Sequence, residues 1–243
     1  MKNIGKFLLV FGVTVFLWFL AFGLYQHPTL PSPFAVMANL GAKLGDGLLV
    51  NLVYSCFRIF VATFFALLLG IPLGILLGYK ESVHRWISPF LYFSYPVPKM
   101  ALLPILMLLF GLGEISKILM IFLIIFFPVV LDTTAAVKNM DRVPFQVLRA
   151  FGVSGKQICA KVIFPGLIPS IFNTLKVTTG IALSVLFFAE NYGTTKGMGF
   201  YIMNSWQTMS YVDLYTGILV LSLLGFALFC LFDFIERKLT QWK

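Results

Sequence analysis

Between Arg58 and Lys80 lie 21 consecutive residues without one charged side chain. A bilayer core about 30 Å thick takes about 20 predominantly apolar residues per helical crossing. A run of that length with no charge therefore reads as a membrane span, and it repeats along the chain. Apolar stretches at about 7–25, 52–79, 86–111, 118–137, 167–190 and 214–232 predict six spans. Composition agrees: only 11% of residues are charged, 60% are hydrophobic and mean hydropathy is +0.96. A soluble domain carries roughly 25% charged residues. Soluble and disordered classes are thereby excluded.

The first stretch follows Lys2 and Lys6 and ends in Tyr25-Gln26-His27-Pro28. It is longer than a signal-peptide core and has no small-residue cleavage pattern, so an uncleaved helix is expected. The third stretch holds Pro89, Pro96, Pro98 and Pro104. Proline removes a backbone donor and clashes with the preceding turn, so this span should be kinked or broken.

The chain carries 18 basic and 9 acidic residues. With the N-terminus inside, 12 of the 18 basic residues fall on the inner side. Lys43, Lys117 and Lys196 fall outside, and Arg58, Lys99 and Lys176 lie within or at the edges of spans. Cytoplasmic loops are enriched in Lys and Arg. The expected fold is thus all-α, with six transmembrane helices and both termini cytoplasmic. The net charge of +9 reads as an orientation signal and gives no reason to expect a nucleic acid partner. Three cysteines, Cys56, Cys159 and Cys230, do not suggest a disulfide framework. No His/Cys spacing suggests a metal site, and neither catalytic residues nor a cofactor is expected. The nearest approach to a phosphate-binding loop, Gly155-Lys156, has Ala150 where the first glycine belongs and Gln157 where Ser or Thr belongs.

Residues 138–166 form the long inner loop. Phe145, Leu148 and Phe151 have helical spacing, Gly152 breaks the run, and a second helical stretch, Lys156 to Ile163, is expected to end at Pro165. The pair reads as a cytoplasmic docking element, or alternatively as interfacial helices lying on lipid headgroups. The loop resembles the EAA signature, EAA-x3-G-x9-I-x-L-P, of permease subunits of bacterial binding-protein-dependent ABC importers. Gln146-Val147-Leu148 stand at the EAA positions, Gly152 at the glycine, Val162 at the isoleucine and Phe164-Pro165 at the Leu-Pro. The spacing matches throughout, while all three opening residues depart. The stretch 98–117, Leu30-Pro31-Ser32-Pro33, Gly197-Met198-Gly199 and Glu236-Arg237-Lys238 also resemble permeases of the nitrate, sulfonate and taurine importers.

The resemblance implies a type I ABC importer permease fold. It divides the chain into an N-terminal helix with an external loop (1–49) and a transmembrane domain (50–238) containing the coupling loop (138–166). It implies a homodimer or a paired permease, cytoplasmic ABC ATPase subunits, an external solute-binding protein and a place in the cytoplasmic (inner) membrane. The loop residues just named would couple to the ATPase, and the cargo would be a small anion such as a sulfonate, taurine or nitrate. The competing reading is an ion-coupled secondary transporter, a class marked by internal repeats and discontinuous helices. One broken helix and no clear repeat are found.

Ionisable residues at membrane depth are functional candidates. Lys99, in the broken third span, either attracts an anionic solute, snorkels, or pairs with Glu190 or another group. Glu190, at the outer end of the fifth span, either lines the external mouth or caps the helix. Arg58 reads as a snorkelling or structurally paired residue. Lys176 and Asp132 are further path candidates that the sequence does not rank. Gly70, Gly74 and Gly78 form overlapping G-x-x-x-G motifs that admit a close helix neighbour, within one subunit or across a dimer. Trp86, Trp206 and Trp242 fall near predicted interfaces, as an aromatic belt would.

Overall fold

The computed structural model describes residues 4–141 and 143–240; Lys2, Arg142, Trp242 and Lys243 lie outside them. Among the described residues there is no strand. The helices are α1 (Ile4–Tyr25), α2 (Pro33–Lys43), α3 (Leu49–Tyr79), α4 (Glu81–Ser94), α5 (Leu103–Phe110), α6 (Glu114–Lys138), α7 (Val143–Ala150), α8 (Gly155–Ile158), α9 (Phe164–Glu190), α10 (Met198–Gln207) and α11 (Tyr211–Leu239). Four helical stretches are long and apolar enough to cross a membrane: Pro33–Tyr79, Glu114–Lys138, Gly155–Glu190 and Tyr211–Leu239. The pair α4 and α5 makes a fifth when its two arms are taken together. The apolar α1 is 22 residues long.

The expected break of the third span is present. Its two arms meet at 83°. Pro96 and Pro98 occupy the gap, and a single 3-10 turn, Lys99–Leu102, leads into α5 with Pro104 in its first turn. A proline there gives up only a donor that has no helical partner anyway.

The centre of the bundle is α3 against α6. The three spaced glycines of α3 face this helix of the same chain: Gly70 meets Val129, Gly74 meets Thr133, and Gly78 meets Val137. Both series ascend together, so the two helices run parallel, with the α4/α5 elbow carrying the chain back between them. Small residues let the backbones approach, and Thr134 donates its hydroxyl to Val130 O at 2.7 Å, with Gly74 O at 3.3 Å. The glycine stripe therefore serves packing within the subunit. Helix α9 packs on α6 around Leu167, Ile171, Leu175, Ala182 and Leu186, all buried. Helix α11 closes the other side of α9.

The segment before α3 is helical: Ser32 caps α2, accepting from Ala35 N at 3.1 Å. A kink at Asp46 and Gly47 then leads directly into α3. One expectation changes: the second helical stretch of the 138–166 loop does not end at Pro165. It passes through a π-turn, Cys159–Ile163, into α9. A π-turn widens the backbone ring, which accommodates the donor that Pro165 lacks.

Candidate functional site: charged groups within the bundle

The end of the bundle where α6 begins and α9 ends is held by one buried cluster. Arg58 sits three turns into α3, and its side chain has no exposed surface. Its Nε and Nη2 donate to Glu114 Oε2 and Oε1 at 2.6 and 2.7 Å, the side-on fork that guanidinium and carboxylate geometry favours. Its Nη1 donates to Glu190 Oε1 at 2.7 Å and to Lys196 O at 2.9 Å. Glu190 is also fully buried. It accepts from Ser55 Oγ at 2.8 Å and from the Gly199 amide at 2.7 Å. Ser55 Oγ in turn accepts from the Met198 amide, and Asn51 Oδ1 from the Gly197 amide, both at 2.8 Å. A side chain at Gly197 would collide with the Glu190 carboxyl, and the backbone there has φ +125°. The glycines of Gly197-Met198-Gly199 thus let backbone amides approach a buried carboxylate. Four elements are bound at one point: α3, the start of α6, the end of α9 and the start of α10.

Lys117 lies beneath this cluster, fully buried. It donates to Leu112 O at 2.6 Å and Gly113 O at 3.0 Å. Outside the cluster, Tyr54, Glu114, Gly193, Thr194 and Lys196 line an open basin of about 530 Å³. The Glu114 side chain is 40% exposed to it.

Within the bundle, Lys176 of α9 pairs with Glu236 at 2.6 Å and Asp233 at 3.6 Å on α11. It is therefore tied up between the middle of α9 and the last turns of α11. From Lys176 to Glu190, α9 runs 14 residues, about 21 Å at 1.5 Å per residue, so the two charged levels stand closer together than the about 30 Å of a hydrocarbon core.

Lys99 lies at the elbow, half-buried. Its Nζ donates to Tyr95 O at 2.6 Å and sits 4.7 Å from the Phe127 ring centroid and 5.2 Å from that of Tyr95. Phe127 is near the middle of α6. Pairing with Glu190 is not observed, since Glu190 is committed to Arg58. Glu190 itself faces the packed interior of the chain, in the surroundings of an anchor. Asp132 is exposed on α6 and accepts from Thr174 Oγ1 at 2.7 Å.

At the opposite end of the bundle, α7 presents exposed Gln146 and Val147, with Leu148 partly covered. Gly152 has φ +73°, and Val153 N donates to Leu148 O at 3.0 Å, closing the helix in a left-handed cap. Ser154 then opens the next helix with a capping box to Gln157. The fold brings the two halves of the loop together. Val162 and Pro165 share a groove of about 590 Å³ with Pro144 and Phe145. Gln146 and Phe145 line a second hollow, about 640 Å³, against Gly78, Glu81 and Lys138. Phe164 lies apart, exposed beside Ile75 and Tyr79.

Sequence reasoning did not pair Arg58 with Glu114 and Glu190. These partners lie 56 and 132 residues away. The one signal was that Arg58 reads as a residue needing a structural partner.

Residues 70–241 match the family described as binding-protein-dependent transport system inner membrane component. The taurine transport system permease protein TauC of Escherichia coli (strain K12) is 35% identical over 192 residues, covering 79% of this chain and 70% of that protein. The putative aliphatic sulfonates transport permease protein SsuC of Bacillus subtilis (strain 168) is 30% identical over 241 residues, covering 98% and 87%. Among solved structures, the inward-facing MetNI methionine ABC transporter (CY5 native crystal form) superposes with a TM-score of 0.68 at 18% identity, over 82% of this chain and 98% of that one. That likeness concerns the fold.

Proposed function

The chain belongs to the family of binding-protein-dependent transport system inner membrane components, and on that premise we propose that it imports a small anion, a sulfonate or a similar solute such as taurine or nitrate, across the cytoplasmic membrane. It is a multi-pass ABC transporter permease, a transport subunit and not an enzyme. In this reading α1, α3, the α4/α5 elbow, α6, α9 and α11 cross as six spans with both ends in the cytoplasm, as the bias of basic residues supports. Residues 1–49 add a helix and an external segment to a transmembrane domain at 50–238. The subunit pairs with a second permease, identical or not. It takes cargo from an external solute-binding protein and is driven by ATP hydrolysis in cytoplasmic ATPase subunits.

The observation that carries the reading is the inner loop within a chain of this family. Two capped helices, joined at Gly152 and folded so that Val162 and Pro165 lie against Phe145, present a compact surface at the inner end. Gln146, Val147, Leu148, Gly152, Val162, Phe164 and Pro165 are assigned to ATPase coupling within 138–166. Lys99 is assigned to the wall of the path. Glu190 acts on it from the outer end, as the anchor that positions α9 and α10.

The test is reconstitution in liposomes with the partner ATPase and binding protein. Uptake of a sulfonate that requires both partners and ATP supports the reading. Uptake by this chain alone overturns it.

A further inference from the structure

Between the last turns of α3 and the turn that leads into α9 runs an apolar groove of about 400 Å³. Ile71, Ile75 and Tyr79, four residues apart on α3, form one wall. Cys159, Ile163 and Phe164 form the other, at the π-turn, where the widened backbone departs from regular helix geometry. Phe164 and Leu76 stay exposed on the groove, and no charged residue lines it.

From Ile71 to Tyr79 the groove follows α3 for about 12 Å at 1.5 Å per residue. One leaflet's share of a hydrocarbon core about 30 Å thick is about 15 Å. The groove is thus close to one leaflet deep, and it lies at the end of Pro33–Tyr79, a stretch apolar enough to cross a membrane. Arg58 of α3 meets Glu190 at the end of α9, so these helices are antiparallel and the end of α3 lies beside the start of α9. That end carries positive charge. Lys80 follows Tyr79 and Lys156 follows Gly155, which also lines the groove. Both lysines are exposed, each one backbone step of about 3.8 Å from a lining residue. Neither has an ion-pair partner among the described residues. Glu81, next in the chain, lines the other hollow, with Gly78, Val137 and Lys138.

We infer that the groove binds an anionic phospholipid: one acyl chain lies between α3 and the π-turn, and the headgroup phosphate meets Lys80 and Lys156. Basic residues beside a bilayer surface attract anionic headgroups, and an apolar slot at the depth of the hydrocarbon accepts a lipid chain more readily than a water-soluble partner. The π-turn carries the 138–166 loop into α9, so the lipid fills the space between that junction and α3. The site follows from the chain's place in a membrane and is independent of which solute is carried.

The test uses the complete importer, with its ATPase, in phosphatidylcholine vesicles. These carry a trace of phosphatidylglycerol or of phosphatidylcholine with a photoactivatable group on the acyl chain, and the cross-linked peptides are mapped. Wild type should be labelled at 71–79 and 155–164, with phosphatidylglycerol strongly preferred. Lys80→Gln and Lys156→Gln, both at exposed positions, should each lower that preference about fivefold, the scale of one basic residue at a membrane surface. Lys80→Arg with Lys156→Arg should keep it. Equal labelling by the two lipids, labelling spread evenly over the apolar surface, or a preference unchanged by the Gln variants overturns the inference. Labelling of the permease alone that disappears when the ATPase is present also overturns it, because the partner then fills the groove.

Discussion

Arg58 and Glu190, 132 residues apart in the chain, meet at 2.7 Å with both side chains fully buried. The guanidinium also holds Glu114, whose side chain remains 40% exposed. Removing one member of a buried pair leaves an uncompensated charge, at a cost of about 3–5 kcal/mol. The three members should therefore differ. Arg58→Met strands the buried Glu190 and should destabilise most, by about that full amount. Glu114→Gln should cost least, because the site opens to water and the Arg58–Glu190 bond persists. Thermal unfolding of the purified protein in detergent measures the ranking. Equal losses for the two variants would show that exposure at Glu114 does not relieve its desolvation.

Gly74 packs so closely that a Cβ there would lie 2.6 Å from Thr133 Cβ and 2.9 Å from Val130 O. The second contact is backbone and cannot rotate away. Gly74→Ala should cost about 1–3 kcal/mol as overpacking. Gly180, on α9, has nothing within 4 Å of such an atom. There Gly→Ala should be neutral or stabilising by up to about 1 kcal/mol through helix propensity. Unfolding midpoints of the two variants, compared with the parent, check the contrast. A neutral Gly74→Ala would mean that α3 and α6 are free to separate.

The spans were legible because the physics is local. A charge-free run longer than the bilayer needs no partner to be read, and the prolines of 89–104 forecast the elbow through backbone chemistry alone. The glycine spacing at 70, 74 and 78 forecast a close neighbour but not which one, since the complement (Val129, Thr133 and Val137) is spread over another helix of unremarkable composition. The outer cluster was not legible. Arg58 reads in the sequence as a residue that snorkels or pairs, Glu190 as one that lines the external mouth or caps its helix, and Glu114 does not stand out, so the three do not point to one another. Their fork geometry arises from three helices and a loop converging, and the Gly199 amide that completes the Glu190 site carries no side-chain signal. Pro165 misled for a related reason. Its effect on a helix depends on whether a π-turn precedes it, and nothing in the side chains from Cys159 to Ile163 marks that turn.

Gly152 stands at φ +73° with open space around it. A side chain there meets no atom, so the penalty is conformational, about 1–2 kcal/mol for a left-handed non-glycine residue. Gly152→Ala should accordingly leave folding intact and only weaken coupling. Deletion of Gly152 is different, because it removes the cap through which Val153 bonds Leu148 and turns α7 relative to Val162 and Pro165. In the reconstituted importer the deletion should abolish uptake while ATP hydrolysis continues. Normal uptake by the deletion variant would remove the loop from the coupling role.

Lys99 is held by one carbonyl, Tyr95 O, and two aromatic faces, Tyr95 and Phe127. None of these neutralises its charge, yet the side chain is half-buried beside the middle of α6. Lys99→Met keeps the apolar stem and the packing against Phe127 while removing the positive charge. A structural role confined to packing predicts uptake close to the parent. A role in drawing an anion through the elbow predicts a fall in sulfonate uptake of about tenfold, the equivalent of about 1.4 kcal/mol, with unfolding temperature nearly unchanged. Lys99→Arg retains the charge and the aromatic contacts, so it should keep much of the uptake that Lys99→Met loses. The Met and Arg variants together separate charge from shape, and equal uptake by both would retire Lys99 from the path.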